Sequence, residues 1–335
     1  MFYLLDNDSI KYVLKKFLGE GLTCKCYLGQ KISSANSEEF FAIKIFHPKY
    51  YKYYSNEVNY LSKLSDNDNI IKIYDYGQGF ITPLLNYNNI LDNPEKNFDN
   101  SKKEQIFFQI VEYAQNGELK DYILDTSTRL PEKISAKIFA KIVKIVKYLH
   151  KNNIAHCDIK PENVLLDRNY NPKLNDFGFS QTFKGEEGDY MLHHFNGTNI
   201  YSAPETRNAF VRGFDGVKND IFSLGVLLFV ITVGNFPFER TDTFDKKYKC
   251  IRKKAYNEFW EYFKDIELSE EFKDLINSLI RFTPSQRLNL DEILEHPWIK
   301  KYTKTNWENE IPSLAEFEYE FYDKEVIDEF NSRKI

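Results

Sequence analysis

The sequence predicts an α+β chain in two parts, a small strand-rich one followed by a larger helical one. Three observations carry this. Short runs of β-branched and aromatic residues recur early: KYVLKKFLG, FFAIKIF (40–46), NIIKIYDYG and IFFQIVEY (106–113). From Lys133 to Lys151 the residues Ile134, Ile138, Ile142, Ile145 and Leu149 fall at helical spacing, and Lys137, Lys141, Lys144, Lys147 and Lys151 are expected on a solvated face. NDIFSLGVLLFVITVG (219–234) is apolar all round, as a helix at the centre of a helical core must be.

The elements follow in order. KYVLKKFLGEG reads as a strand entering a glycine turn, and FFAIKIF as a strand with Lys44 its one charge. NEVNYLSKL (56–64) has helical spacing at Val58, Leu61 and Leu64. NIIKIYDYG is strand, then turn. Residues 86–104 are polar and asparagine-rich, a loop at an insertion tip. After QNG (115–117) the character turns helical, ending in EEFKDLINSLI and LDEILEHPWI. Residues 303–335 are acidic and aromatic and read as a tail.

Composition bounds the function. With 42% hydrophobic and 16% aromatic residues in 335, a packed core is expected rather than disorder. A net charge of −5 argues against nucleic acid as a partner, so any phosphate binding must be local. Four cysteines make no disulfide framework, and Cys24-Lys25-Cys26 lacks the second pair or nearby histidines of a zinc site. The first residues lack a signal-peptide pattern, and VLLFVITV (226–233) falls short of the roughly 20 residues of a membrane span. A soluble protein of a reducing compartment is expected, cytoplasmic with the nucleus left open.

Several short motifs carry chemistry. Gly19-Glu20-Gly21 lies between two strands, where it is either a tight hairpin or a place where backbone N–H groups approach phosphate. Lys44 in Ala42-Ile43-Lys44 either snorkels at an edge or is buried with a partner. Glu57, 13 residues on and near the start of the expected helix, supplies that partner. His156-Cys157-Asp158-Ile159-Lys160-Pro161-Glu162-Asn163 follows, then Asp176-Phe177-Gly178, then Ala203-Pro204-Glu205.

In this order the motifs resemble those of the eukaryotic protein kinase family, over roughly residues 10–302. The resemblance implies the bilobal protein kinase fold: a β-rich N-lobe (10–111) with one main helix, a hinge (112–118), a helical C-lobe (119–302), and a tail (303–335). It implies transfer of the γ-phosphate of ATP, with Mg²⁺, to protein hydroxyls. Lys44 would grip the α/β-phosphates and Glu57 hold it. Asn163 and Asp176 would ligate Mg²⁺, Asp158 accept or orient the substrate hydroxyl proton, and Lys160 neutralise the moving phosphate. Leu18, Gly19, Gly21, Cys26, Ala42, Val111 and Leu165 would line the nucleotide site. Glu112 and Ala114 would offer backbone groups to adenine, with Val111 as a small gatekeeper, and Glu118 would reach the ribose. Asp220 would brace the catalytic loop, Glu205 pair with Arg287, and Phe177, His156, Leu61 and Ile73 stack as a spine. Lys160 two positions after Asp158, and Gly197-Thr198 ahead of Tyr201, resemble serine/threonine kinases. YLHKNNIAHCDIKPENVLLD and HPWI resemble the calcium/calmodulin-dependent group.

The departures from the family pattern are informative. Cys24 replaces the third glycine and Cys26 the valine over adenine, as tolerated substitutions or as a redox pair. Cys157 replaces the arginine that pairs with an activation-segment phosphate, and His194 stands at the usual phosphosite. Receptor and phosphate are missing together, so a segment that orders unaided is expected, with drift in a relaxed paralogue the alternative. Glu118 and Glu162 match acids that read upstream basic residues, while Val230 replaces a third, so a modest preference for arginine three before the target is expected. The tail either docks on the catalytic domain or packs as a terminal helix, and it holds no basic amphipathic stretch that would support calmodulin as a partner. The rival reading of the whole chain is a pseudokinase scaffold or allosteric binding module, against which the retention of Lys44, Glu57, Asp158, Asn163 and Asp176 argues.

Overall fold

A computed structural model describes residues 2–6, 9–31, 39–83, 103–123, 129–183, 191–195 and 197–304. It divides into two compact units, Met1–Ala114 and Gln115–Ile335. Nearly all of the asparagine-rich 86–104 loop, and the tail beyond Lys304, lie outside the described residues.

The first unit is an antiparallel barrel of β1 (Phe2–Asp6), β2 (Ser9–Glu20), β3 (Cys24–Lys31), β4 (Phe40–Phe46), β5 (Ile73–Pro83) and β6 (Glu104–Glu112), in the order β1-β2-β3-β4-β6-β5. β1 closes it by pairing on both sides, Leu4 facing Tyr12 of β2 and Ile81 of β5. Closure removes both sheet edges. This strand precedes the expected domain start at 10, and its run FYLL has no polar alternation to mark it as strand. Inside the barrel Tyr12, Leu14, Phe41, Ile43, Ile45, Ile106, Phe108 and Ile110 form the core. Gly29 is required there, since a Cβ would lie 2.2 Å from Ile43 Cδ1. Helix α1 (Tyr51–Lys63) buries Tyr54, Glu57, Tyr60 and Leu61 on one face. Gln109 Nε2 of β6 donates to the Tyr54 carbonyl at 3.2 Å and ties the helix to the barrel.

The second unit is built on α2 (Glu132–Lys151) and α4 (Gly216–Val233), with α3 (Ala209–Arg212) between them. The five apolar positions read on α2 are all buried. Its lysines do not form one solvated face as expected: Lys137 is buried, Lys141 donates to Asn171 Oδ1 at 2.8 Å, and Lys147 pairs with Asp291. A lysine stem is apolar enough to lie in a core edge while its ammonium finds a partner. Helix α4 is long and apolar enough to cross a bilayer, yet nearly all of it is buried inside the unit. Asp215 caps its start through the amides of Val217 and Lys218, and Gly234 ends it at φ 73°.

Around these helices lie α5 (Lys246–Lys253), α6 (Tyr256–Glu261), α7 (Glu270–Leu279), α8 (Leu290–Glu295) and α9 (Pro297–Tyr302). Glu132 gathers three of the segments, accepting from Ser269 N (2.7 Å), Ser269 Oγ (2.6 Å) and Trp298 Nε1 (2.6 Å). Three short ladders shape the loops: β7 (Ile154–Ala155) with β10 (Gln181–Thr182), β8 (Val164–Leu166) with β9 (Pro172–Leu174), and β11 (Met191–Leu192) with β12 (Phe214–Asp215).

Candidate active site

In the first unit, strand alternation sends Lys44 to the face of β4 opposite the barrel core, where Glu57 on α1 meets it at 2.6 Å. The two side chains are 8% and 2% exposed, so neither charge is solvated and each compensates the other's burial. In the register, Lys44 faces Cys26 of β3, and Cys26 faces Gly19 of β2. Leu18 sits at an irregularity in that pairing and is largely exposed. A Cβ at Gly19 would meet nothing within 4 Å, and one at Gly21 only the Cys24 carbonyl at 3.9 Å. Packing within the protein therefore does not require these glycines. The open space above the turn fits a phosphate approaching the backbone, with Lys44 facing the same strands. Ala42 and Val111 are buried opposite one another in the β4–β6 ladder. The amide of Glu112 is taken by the Lys72 carbonyl at 2.8 Å, while neither backbone group of Ala114 is hydrogen-bonded among the described residues.

In the second unit the loop after β7 hangs from Asp220 of α4. This fully buried carboxylate accepts from the amides of His156 (2.8 Å) and Cys157 (2.9 Å), and its Oδ2 lies 2.9 Å from His150 Nε2. Those bonds hold Cys157 at φ 65°, a conformation that L residues rarely adopt unsupported. The turn aims the next residue, Asp158, at a ring of donors. Thr198 donates its amide (2.9 Å) and its hydroxyl (2.7 Å) to Asp158 Oδ1. Lys160 Nζ (2.8 Å) and Asn163 Nδ2 (2.9 Å) reach Oδ2. Lys160 also donates to Thr198 Oγ1 at 2.8 Å. Burial pushes the Asp158 carboxyl up, but the Lys160 charge and the Thr198 donors outweigh it and hold the group below the usual carboxylate range.

Asn163 spends its amide NH₂ on Asp158, on the carbonyl (2.8 Å) as well as the carboxylate, which leaves Oδ1 as an acceptor. Its carbonyl accepts from Asn175 N at 2.9 Å, bringing the Asp176 turn alongside. Asp176 stands at φ 60°, and Gly178 N reaches its Oδ1 at 3.3 Å. No group of three or more His, Cys, Asp or Glu is placed to hold a metal ion among the described residues. The Asp176 carboxylate and the Asn163 amide oxygen still fit Mg²⁺, which takes few protein ligands and keeps waters and phosphate oxygens. Phe177 is buried and packs edge-on to His156 at 4.9 Å. Arg287 makes a two-pronged pair with Glu205 at 2.6 and 2.8 Å.

The family model described as protein kinase domain matches residues 12–299. The chain belongs to that family. It is 31% identical over 309 residues to CBL-interacting protein kinase 11 of Oryza sativa subsp. japonica, covering 91% of this chain and 55% of the relative. It is 29% identical over 294 residues to CBL-interacting serine/threonine-protein kinase 12 of Arabidopsis thaliana, covering 87% and 53%. The chain thus spans a little over half the length of these relatives.

The segment between Asp176 and Glu205 packs against the loop that carries Cys157. Cys157 lies in an apolar cluster with Ala155, Phe183, Leu192, Ala209 and Phe214, and Phe195 packs against it. Gln181 Nε2 donates to the His194 carbonyl at 2.7 Å and passes 3.9 Å from Cys157 Sγ. Gly197 is required here, because a Cβ would lie 2.2 Å from the Cys157 carbonyl. Burial, with Asp220 and Asp158 nearby, pushes the Cys157 thiol well up. Of the segment hydroxyls, Ser180 is buried and donates to the His156 carbonyl at 3.3 Å, Thr182 is exposed, and Tyr190 lies outside the described residues.

The two acids expected to read basic residues differ. Glu118 caps the turn at Leu119–Tyr122, bridges to Leu165, and pairs with Lys120 at 2.8 Å. Burial pushes its carboxyl up, only partly offset by Lys120. Glu118 Oε2 and Glu162 Oε2 are both buried without a hydrogen-bond partner among the described residues, but Glu162 has no ion pair there to match Glu118–Lys120. Sequence reasoning missed Thr198 as the partner of Asp158 and Gln181 as the tie to His194. The first was within reach, since Gly197-Thr198 had already marked the segment.

Proposed function

We propose that the chain is an active Mg²⁺/ATP-dependent serine/threonine protein kinase whose activation segment is ordered without a phosphate. The observation that carries the reading is the seating of Thr198 on Asp158, with Lys160 and Asn163 completing the ring. That arrangement fits a substrate hydroxyl delivered to Asp158. With both oxygens engaged and a depressed pKa, Asp158 acts chiefly by orienting the hydroxyl rather than by storing its proton. Lys160 supplies positive charge beside it. Asn163 and Asp176 would hold Mg²⁺, whose charge offsets that of the phosphates. The glycine turn and Lys44 supply phosphate-binding groups, and Ala114 free backbone groups for a base.

The apolar seat of Cys157 and the Gln181–His194 hydrogen bond support phosphate-independent ordering. An arginine at 157 with no phosphate would leave an unpaired charge in that cluster. The unpartnered oxygen of Glu162 supports a basic residue in the substrate, with Lys120 a rival for Glu118. The test is transfer of labelled phosphate from Mg²⁺/ATP to a degenerate peptide library with Ser, Thr or Tyr as acceptor, and Asp176→Asn as blank. Transfer to Ser and Thr above the blank is expected. No transfer to any acceptor supports the scaffold reading and overturns this one.

A further inference from the structure

Charge is distributed unevenly along this chain. Residues 305–335 hold nine acids and three bases, a formal −6, so residues 1–304 carry +1 of the chain's −5. The same segment holds six aromatic residues, among them Phe317, Tyr319, Phe321 and Tyr322 within the run EFEYEFYDKE.

The folded part concentrates the opposite charge at α5. Residues 246–254, KKYKCIRKK, hold six bases in nine positions. Tyr248, Cys250 and Ile251 are buried, so the exposed Lys246, Lys249, Arg252 and Lys253 share the outer face. Like charges three and four apart destabilise a helix, and Lys246 stands in the first turn, where the helix dipole disfavours a cation. Nothing local compensates. Lys246, Lys249 and Lys253 make no ion pair among the described residues. Asp245, ahead of them, is used as the helix cap and accepts from Tyr248, Glu239 and Arg240 amides. Some surface lysines do find partners, Lys273 with Glu270 at 2.7 Å and Lys300 with Glu295 at 2.8 Å, and others such as Lys133 and Lys151 make no ion pair among the described residues; α5 is set apart by gathering four exposed cations on one face.

Apolar surface accompanies the charge. Phe244, just ahead of α5, is 85% exposed, with the Arg240 guanidinium 5.8 Å from its ring centre. Phe282, 43% exposed, lies under Arg252 at 5.2 Å. A face of unpaired cations edged by exposed aromatic rings fits a ligand in which carboxylates alternate with aromatic side chains.

We propose that this outer face of α5 is a docking surface for the chain's own segment 305–335. Reach is no obstacle. Trp298 of α9 packs on Phe272 of α7 at 5.4 Å, and Phe272 lies 6.3 Å from Trp260 of α6, the helix next to α5. A segment of 31 residues can extend to about 100 Å. Docking pairs the cations and covers Phe244, and it is electrostatic enough to be undone by salt. The inference does not depend on phosphoryl transfer, because it concerns only the charge of two surfaces.

The test is zero-length carbodiimide cross-linking of the full chain, read by peptide mass spectrometry on the monomer fraction. Cross-links from Glu316, Glu318, Glu320 and Asp323 to Lys246, Lys249 and Lys253 are expected at about 0.1 M salt. They should fall to background near 1 M salt, where the Debye length shortens from about 10 Å to about 3 Å. The Asp323 cross-links should also vanish in a Glu316→Lys/Glu318→Lys/Glu320→Lys variant, which keeps that carboxylate and leaves the folded part untouched. Cross-links no more frequent to these lysines than to Lys133 or Lys151 would overturn the proposal. Cross-links confined to a dimer fraction would also overturn it, in favour of a second copy as the occupant.

Discussion

Thr198 gives both its amide and its hydroxyl to one oxygen of Asp158, at 2.9 and 2.7 Å, from 40 residues away in the sequence. The activation segment is therefore joined directly to the residue proposed to orient the substrate. Its order is a condition of the site rather than an accessory to it.

Asp158 should show this in its acid titration. Its folded pKa is depressed, so the stability gained from its charge is present above the unfolded value of about 3.9 and lost as pH falls through the folded value. The stability of the native protein relative to Asp158→Asn should be constant from pH 8 to about pH 5 and decline below about pH 4. Denaturant unfolding of the two proteins across that range measures it. Thr198→Val should move the decline to higher pH.

The dry Lys44–Glu57 pair separates stability from activity. Lys44→Met takes a positive charge away from a buried carboxylate and should cost about 3 kcal/mol, with phosphoryl transfer lost. Lys44→Met/Glu57→Leu should recover most of the stability and none of the activity. Thermal unfolding and label transfer on the same samples check both halves.

Thiol reactivity should follow burial. None of the four cysteines is in a disulfide. Cys24 and Cys26 are partly exposed on β3, whereas Cys157 and Cys250 are buried and their thiol pKa values raised. Iodoacetamide at neutral pH should modify the first two in the native protein and the second two only after denaturation. Rapid native labelling of Cys157 would contradict the apolar seat described for it.

Lys120 should weaken the reading of basic substrates by occupying Glu118. Lys120→Ala should raise the preference for arginine three before the target, and Glu162→Gln should lower discrimination by roughly tenfold, as for a lost charge-assisted hydrogen bond. Because the Glu118 carboxyl is pushed up, its share of the preference should fade at a higher pH than for an ordinary glutamate. Peptide-library profiles of the three proteins at two pH values decide this.

What could be read in advance depended on how local its cause is. Helix α2 announces itself by periodicity, α4 and the strand of Lys44 by apolar runs, and Lys44, Glu57, Asp158, Asn163 and Asp176 by fixed spacing. β1 was not legible, because a five-residue strand is identified by the edges of β2 and β5 that it joins rather than by its own pattern. Lys137 was misread because helical spacing gives a face but not what packs on it. Gln181 and Thr198 act on partners 13 and 40 residues away, across two-residue ladders too short to show a period.

The central claim is a kinase that needs no phosphate on its activation segment. Its most direct test is kcat/KM for one optimised serine peptide, measured on a single preparation before and after complete enzymatic dephosphorylation, with mass spectrometry confirming removal. The account predicts equal values, and equal values again for Thr182→Ala and Tyr190→Phe. A fall of tenfold or more on dephosphorylation, restored by rephosphorylation within residues 180–198, would contradict it.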